Sequence, residues 1–169
     1  MEPTRHLSDK LESWVSRIPG LKTYQEREHR RETDKKVREQ LSAKIRAVCQ
    51  KLQSLERRLA GQGNLDPLPE LDRICSRLQQ LADTVLYAGY GYGGIFDLDK
   101  IRQEQLERMC EFDLYLFDDV EAMEQEAGGL GESGPQDEKW RQAISELDTR
   151  CDILQERLDR RREFMTRPE

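Results

Sequence analysis

Apolar residues recur along the chain at helical spacing, in stretches separated by glycine- or proline-containing breaks. The first stretch is short. Leu7, Leu11, Trp14, Val15 and Ile18 share one face of an amphipathic helix within residues 1–20, ended by Pro19-Gly20. That face predicts docking on the rest of the chain, with Trp14 at least half buried, since an exposed Trp among aliphatics makes an adhesive patch. The competing reading is a docking peptide for a partner or a membrane surface. The polar face mixes Asp9, Lys10, Glu12 and Arg17, so it lacks the cationic bias that anionic lipids select.

Four longer stretches follow. Residues 22–61 predict a long helix whose second half carries Leu41, Ile45, Val48, Leu52, Leu55 and Leu59, a bundle seam. Its first half differs: from Gln25 to Lys36 there is no apolar residue, and Glu26/Arg30, Arg30/Asp34, Glu32/Lys36 and Asp34/Arg38 recur at ion-pair spacing instead. Such pairs contribute about 0.2–0.5 kcal/mol each, enough to continue a helix with no core beneath it. Residues 67–88 form the next helix, with Asp66 placed to cap it, Pro67 suited to its first turn, and Leu71, Ile74, Leu78, Leu81 and Val85 as its seam. Residues 98–127, capped by Asp97 or Asp99, carry Met109, Phe112, Leu116, Val120 and Met123, widened by Leu106 and Phe117. Residues 136–165 carry the most regular heptad: Trp140, Ile144, Leu147, Cys151, Leu154, Leu158 and Met165, interrupted only by Arg161.

The breaks are short and glycine-rich, Gly61–Pro67 and Gly128–Pro135 among them, so helices adjacent in sequence are expected to pack antiparallel. The predicted fold is all-α: a single domain over 1–169, an antiparallel up-down bundle of four main helices with the short helix at 1–20. A long hairpin that polymerises is the alternative architecture.

Composition agrees with a bundle: 37% charged and 7% aromatic residues, at helical periodicity. The net charge of −6 argues against a dedicated nucleic-acid binder. There is no apolar run long enough to span a bilayer, and Asp9, Lys10 and Glu12 break up any signal-peptide core. The expectation is a cytoplasmic protein without a transmembrane segment, with peripheral membrane association and homo-oligomerisation both open. The charge is unevenly spread. Residues 22–61 hold twelve basic and six acidic residues, net +6, and residues 102–126 hold nine acids and two arginines, net −7. Opposite charge on two helices helps to fix their pairing. The acids of the second segment, Glu104, Glu107, Glu111, Asp113, Asp118 and Asp119, lack the glycine turn of a calcium loop and read as a solvated face.

Candidate chemistry is sparse. Gly89-Tyr-Gly-Tyr-Gly-Gly94 satisfies G-x-G-x-x-G, but it follows a helix instead of a strand, so it reads as a sharp reversal and not as a phosphate cradle. Glu26-x-x-His29 is half of a di-iron motif, but His6, the other histidine, lacks such a partner. No Ser or Cys has a plausible histidine base, so no catalytic residue and no cofactor is assigned. Cys49, Cys75, Cys110 and Cys151 contain no C-x-x-C, which predicts reduced, buried thiols. Counting from the connectors puts all four near one level of the bundle, so the alternative function is a thiol-based metal or redox-binding bundle using these four residues.

The run Pro19-Gly20-Leu-Lys-Thr-Tyr24, with Arg27, Glu28, Arg30, Arg31, Asp34 and Arg38, followed by Tyr90–Asp97 and Glu111-Phe-Asp113, resembles a family of small helical bacterial proteins. That family reads P-G-x-x-x-Y-x-x-x-E-x-R-R-x-x-D-x-x-x-R and then Y-G-Y-x-G-x-F-D. The similarity covers about residues 14–123, and Arg27 and Glu28 flank the place where the pattern has one acid. The resemblance carries no established activity. It implies a helical fold, a bacterial cytoplasmic setting and an association with membrane-stress proteins of the band-7 type.

The favoured function is therefore non-enzymatic: a protein-interaction or scaffold module whose protein partner the sequence does not name. Running the helices up and down puts the Tyr/Gly loop beside the charged half of the first helix. The expected partner surface gathers Tyr90, Tyr92, Phe96 and Asp97 with Arg27, Arg30, Arg31, Asp34 and Arg38, and the last helix returns there with Arg160, Arg161 and Arg162. Tyrosine and arginine are the types that dominate protein interfaces.

Overall fold

The computed structural model describes residues 30–88, 103–132 and 134–166. They form an all-α bundle of four helices: α1 (Arg30–Gly61), α2 (Leu68–Tyr87), α3 (Gln103–Gly129) and α4 (Glu138–Thr166). The expected helix at 1–20, with Trp14, lies outside the described residues, as do the proposed caps Asp97 and Asp99.

The helix ends follow from local chemistry. Just past the end of α1, Gly63 has a φ of +76°, the left-handed conformation that glycine tolerates. Its N–H bonds to the Ala60 carbonyl and the Asn64 N–H to the Leu59 carbonyl, so two carbonyls left open by the helix end find donors. α2 begins differently from expectation. Pro67 itself occupies the capping position, and no side chain caps it. Asp66 is thus displaced by one residue from the cap role, and the Pro67 carbonyl accepts from Leu71. At α4, Asp137 Oδ2 accepts from the Gly134 N–H at 2.8 Å, tying the connector to the helix start.

The expected seams are buried where their side chains are described, except that Phe112 is only partly buried; the side chains of Leu106, Met109 and Met165 lie outside the described residues. Leu41, Ile45, Val48, Leu52, Leu55 and Leu59 of α1 meet Leu71, Ile74, Leu78, Leu81 and Val85 of α2, with Leu116, Phe117, Val120 and Met123 of α3 and Trp140 to Leu158 of α4. Leu130, in the turn after α3, is fully buried.

Packing order differs from a simple succession of neighbours. α1 packs on α2 and α3, and α4 packs on α3 and α2, so α2 and α3 stand across a diagonal. Cross-helix pairs give the directions. Arg38 reaches Leu86 and Arg46 reaches Asp83, so α1 and α2 run antiparallel. Arg161 with Asp113 and Arg150 with Glu126 make α3 and α4 antiparallel. Lys44 with Glu121 and Lys51 with Glu124 make α1 and α3 parallel neighbours, and Arg73 with Asp148 and Arg77 with Asp152 do the same for α2 and α4. The molecule is two antiparallel hairpins laid side by side. The expectation that every sequence neighbour packs antiparallel fails at α2–α3. The interval between those helices, residues 88–102, is much longer than 62–67 or 130–137, which frees α3 to choose its own neighbour. That choice follows charge: basic α1 meets acidic α3.

The α1–α2 contact is the most extensive in the molecule, and small residues explain it. Cys49 and Cys75 lie opposite each other. One heptad back along α1 and one forward along α2, the same register brings Ser42 opposite Ala82, both buried. Short side chains at a repeating seam position let the two backbones approach closely.

Candidate functional site

α1 begins, α2 ends, α3 begins and α4 ends at one end of the bundle. Of the expected surface, Arg27, Tyr90, Tyr92, Phe96 and Asp97 lie outside the described residues. Arg30, Arg31 and Asp34 fall in the opening turns of α1, where the backbone alone is described. Arg38 is placed in detail. Its Nη1 donates to the Leu86 carbonyl at 2.8 Å, in the last turn of α2, where carbonyls lack helical donors and cations are favoured. The last turn of α2 therefore lies beside Arg38, while the Tyr/Gly loop that follows it in sequence lies outside the described residues.

The arginines of α4 divide. Arg160 pairs with Glu156 at 2.5 Å and Arg162 with Asp159 at 2.9 Å, both within the helix. Arg161 turns inward and is 5% exposed. Its Nε donates to Asp113 Oδ1 at 2.6 Å and its Nη2 to Asp113 Oδ2 at 3.2 Å, a two-pronged buried ion pair. Arg161 is thus part of the interior and not of the outer arginine cluster.

The acidic face of α3 is corrected by the same geometry. Asp113 and Asp119 are buried. Arg157 Nη1 lies 2.9 Å from Asp119 Oδ2, and the Arg157 guanidinium covers the Tyr115 ring at 5.4 Å. Burial nevertheless pushes the Asp119 carboxyl above the usual aspartate range, outweighing the opposite pull of Arg157 and Arg150. On the other hairpin pair, Asp148 accepts from Arg73 at 2.9 Å on both oxygens and also from Arg77. The Arg73 bonds lead in holding its carboxyl below the usual range.

Among the described residues, two aromatic side chains remain conspicuous on the surface. Tyr87 is 57% exposed and Tyr115 is 43% exposed. Tyr87 follows Leu86, the acceptor for Arg38. Tyr115 is level with Arg38 too, because α1 and α3 run parallel from the Lys44–Glu121 pair. Both rings therefore stand at the level of Arg38 and the last turn of α2. Sequence reasoning passed over Tyr115 because it sits among apolar residues of α3; its offset from the Phe112–Leu116 stripe was the available signal.

Cys49, Cys75 and Cys151 are buried free thiols. Burial pushes the Cys151 thiol up to about 11. Cys49 and Cys75 face each other across α1 and α2, whereas the register of α3 carries Cys110 more than a dozen residues, roughly 20 Å, from their level. The expectation of one common level fails for Cys110. Glu126 pairs with Arg150, so α4 starts well beyond the end of α3, and equal counting from the connector misplaces α3. Among the described residues no group of three or more His, Cys, Asp or Glu side chains is arranged to hold a metal ion. Among them, too, no helix is long and apolar enough to cross a membrane.

Comparison with protein-family models, with curated proteins and with solved structures finds no match. The resemblance to the small helical bacterial family thus rests on the motif residues quoted for it.

Proposed function

We propose that this protein is a non-enzymatic, cytoplasmic protein-interaction or scaffold module that engages a protein partner through the end of the bundle carrying the Tyr/Gly loop. The observation that carries the reading is the exposure of two tyrosines level with Arg38, Tyr87 in the last turn of α2 and Tyr115 on α3. Large amphipathic rings beside guanidinium groups offer contact area at small entropic cost, and such residues supply most interface hot spots. The sequence adds Tyr90, Tyr92, Phe96 and Asp97 in the loop, Arg27 before α1, and Arg30, Arg31 and Asp34 in its opening turns. A bacterial setting and a partner among band-7 membrane-stress proteins rest on the motif resemblance alone.

The test is affinity capture from the native host with two double variants, Tyr90→Ala with Tyr92→Ala and Arg30→Ala with Arg31→Ala. Both are expected to keep the wild-type melting temperature and to lose the partner that the wild-type chain retains. Loss of folding in both variants without a specific loss of capture assigns these residues to closing the bundle end and ends the reading.

A further inference from the structure

We propose that Cys49 and Cys75 form a redox-closable pair: a site that takes a low-molecular-weight disulfide as oxidant and links α1 to α2 covalently. The inference is independent of the partner surface, and it uses two thiols where the sequence suggested four.

The geometry is reciprocal. Cys49 Sγ lies 3.8 Å from the Cys75 carbonyl oxygen, and Cys75 Sγ lies 3.7 Å from the Cys49 carbonyl oxygen. Each sulfur therefore sits against the backbone of the other residue, and both occupy the narrow space between two helices. The small residues of this seam hold the backbones close, which is the condition a disulfide sets on its two Cα atoms. Both thiols are 3% exposed. Gln79 Nε2 points at Cys49 Sγ from 3.6 Å. No other described cysteine shares this relation, since Cys151 belongs to the seam of α4.

The surroundings make the pair slow, not inert. The Cys75 thiol is pushed up by burial first, then by Cys49 and by the carboxylates of Glu56 and Asp72. Few thiolates exist in the closed state, and a bulky disulfide does not enter a closed seam. Reaction requires a transient parting of α1 and α2. In that opening one thiol, as its thiolate, attacks R–S–S–R. An S–S bond forms to the protein and one R–S⁻ leaves. The second cysteine thiolate then attacks the protein-bound sulfur of this mixed disulfide, forming the Cys49–Cys75 bond and expelling the second R–S⁻. Two protein thiols are oxidised, one R–S–S–R is reduced to two RSH, and the two thiol protons end on those products. Reclosure then requires no change of register, because each sulfur already lies against the backbone of the other cysteine.

The experiment uses the full chain and glutathione disulfide. The chain is incubated with excess oxidant from the folded state and, separately, refolded from urea in the same buffer. Remaining thiols are alkylated, and trypsin digestion without reductant is followed by mass spectrometry. Trypsin isolates Cys49 in Ala47–Lys51 and Cys75 in Ile74–Arg77. The expected result, reached from both directions, is a predominant species joining these two peptides with loss of two hydrogens. The linked chain is expected to melt at least about 4 °C higher, reverting on treatment with dithiothreitol. The proposal is overturned if both routes leave the two peptides alkylated or glutathionylated but unjoined, if the main disulfide involves Cys110 or Cys151, or if the linked chain melts lower.

Discussion

The two hairpins close in opposite ways. Between α1 and α2 the buried seam is neutral: Ser42 faces Ala82, Cys49 faces Cys75, and leucines and isoleucines fill the rest. Between α3 and α4 the seam holds a buried ion pair, Arg161 with Asp113, followed down the bundle by Arg157 with Asp119 and Arg150 with Glu126. Small side chains bring helices close and gain dispersion contacts, but they discriminate weakly between registers. A charge pair in a low-dielectric seam contributes little net stability, yet it penalises every register that separates the partners. One hairpin gains affinity from closeness; the other gains register from charge.

The largest test of this contrast removes one buried charge. Asp113→Ala takes the two-pronged carboxylate partner from the buried Arg161 and is expected to cost about 3–5 kcal/mol in urea unfolding, whereas the double variant Asp113→Leu with Arg161→Met recovers most of it. If the double variant is as unstable as the single one, the pair acts through packing and the contrast fails.

The neutral seam breaks by volume instead. Ala82→Leu forces α1 and α2 apart and is expected to cost roughly 1–3 kcal/mol. Serine at the same position is expected to cost less than leucine does, because it matches the size of Ser42 opposite. Equal losses for the two variants would show that closeness is not what this seam depends on.

Two aspartates sharpen the comparison through pH. Asp148 has a lowered folded-state pKa, so its stabilising contribution is present above the ordinary aspartate pKa and is lost as pH falls through the folded value. Asp119 has a raised folded-state pKa, so the folded chain holds its proton longer than the unfolded one. Its effect on stability runs the other way, declining as pH rises from the ordinary aspartate value through the raised one. Asp148→Asn is expected to flatten the acid limb of a stability–pH curve and Asp119→Asn to remove the opposing slope above it. Parallel shifts in the two variants would contradict both assignments.

The smallest effect belongs to the outer pairs. Lys51→Ala removes a 2.7 Å contact with Glu124 and is expected to cost about 0.2–1 kcal/mol, a loss that shrinks in high salt.

The seams were legible in the sequence because a leucine or isoleucine every third or fourth residue has one economical use in water. Arg161 was visible as an interruption of the α4 heptad, and a charge at such a position implies a buried partner. Which of the α3 acids that partner would be was not legible, since Asp113 and Asp118 look alike until the register of α3 on α4 is known. That register depends on how residues 130–137 advance along the axis, a three-dimensional property with no one-dimensional mark. The same ignorance misplaced Cys110 and the α2–α3 neighbourhood. Arg38 was singled out for a partner surface, and it does stand at that end, but its guanidinium also finishes α2. Turn counting fixed its level, not its bond.

The side-by-side arrangement of hairpins has a kinetic consequence. Contacts inside a hairpin join residues such as Cys49 and Cys75, 26 positions apart, whereas Lys44–Glu121 and Lys51–Glu124 span 77 and 73 positions. Loop closure favours the nearer partners, so each hairpin is expected to zip before the two meet. The meeting is then an encounter between a basic rod and an acidic one. Its rate, unlike the zipping of the α1–α2 seam, should fall as ionic strength rises.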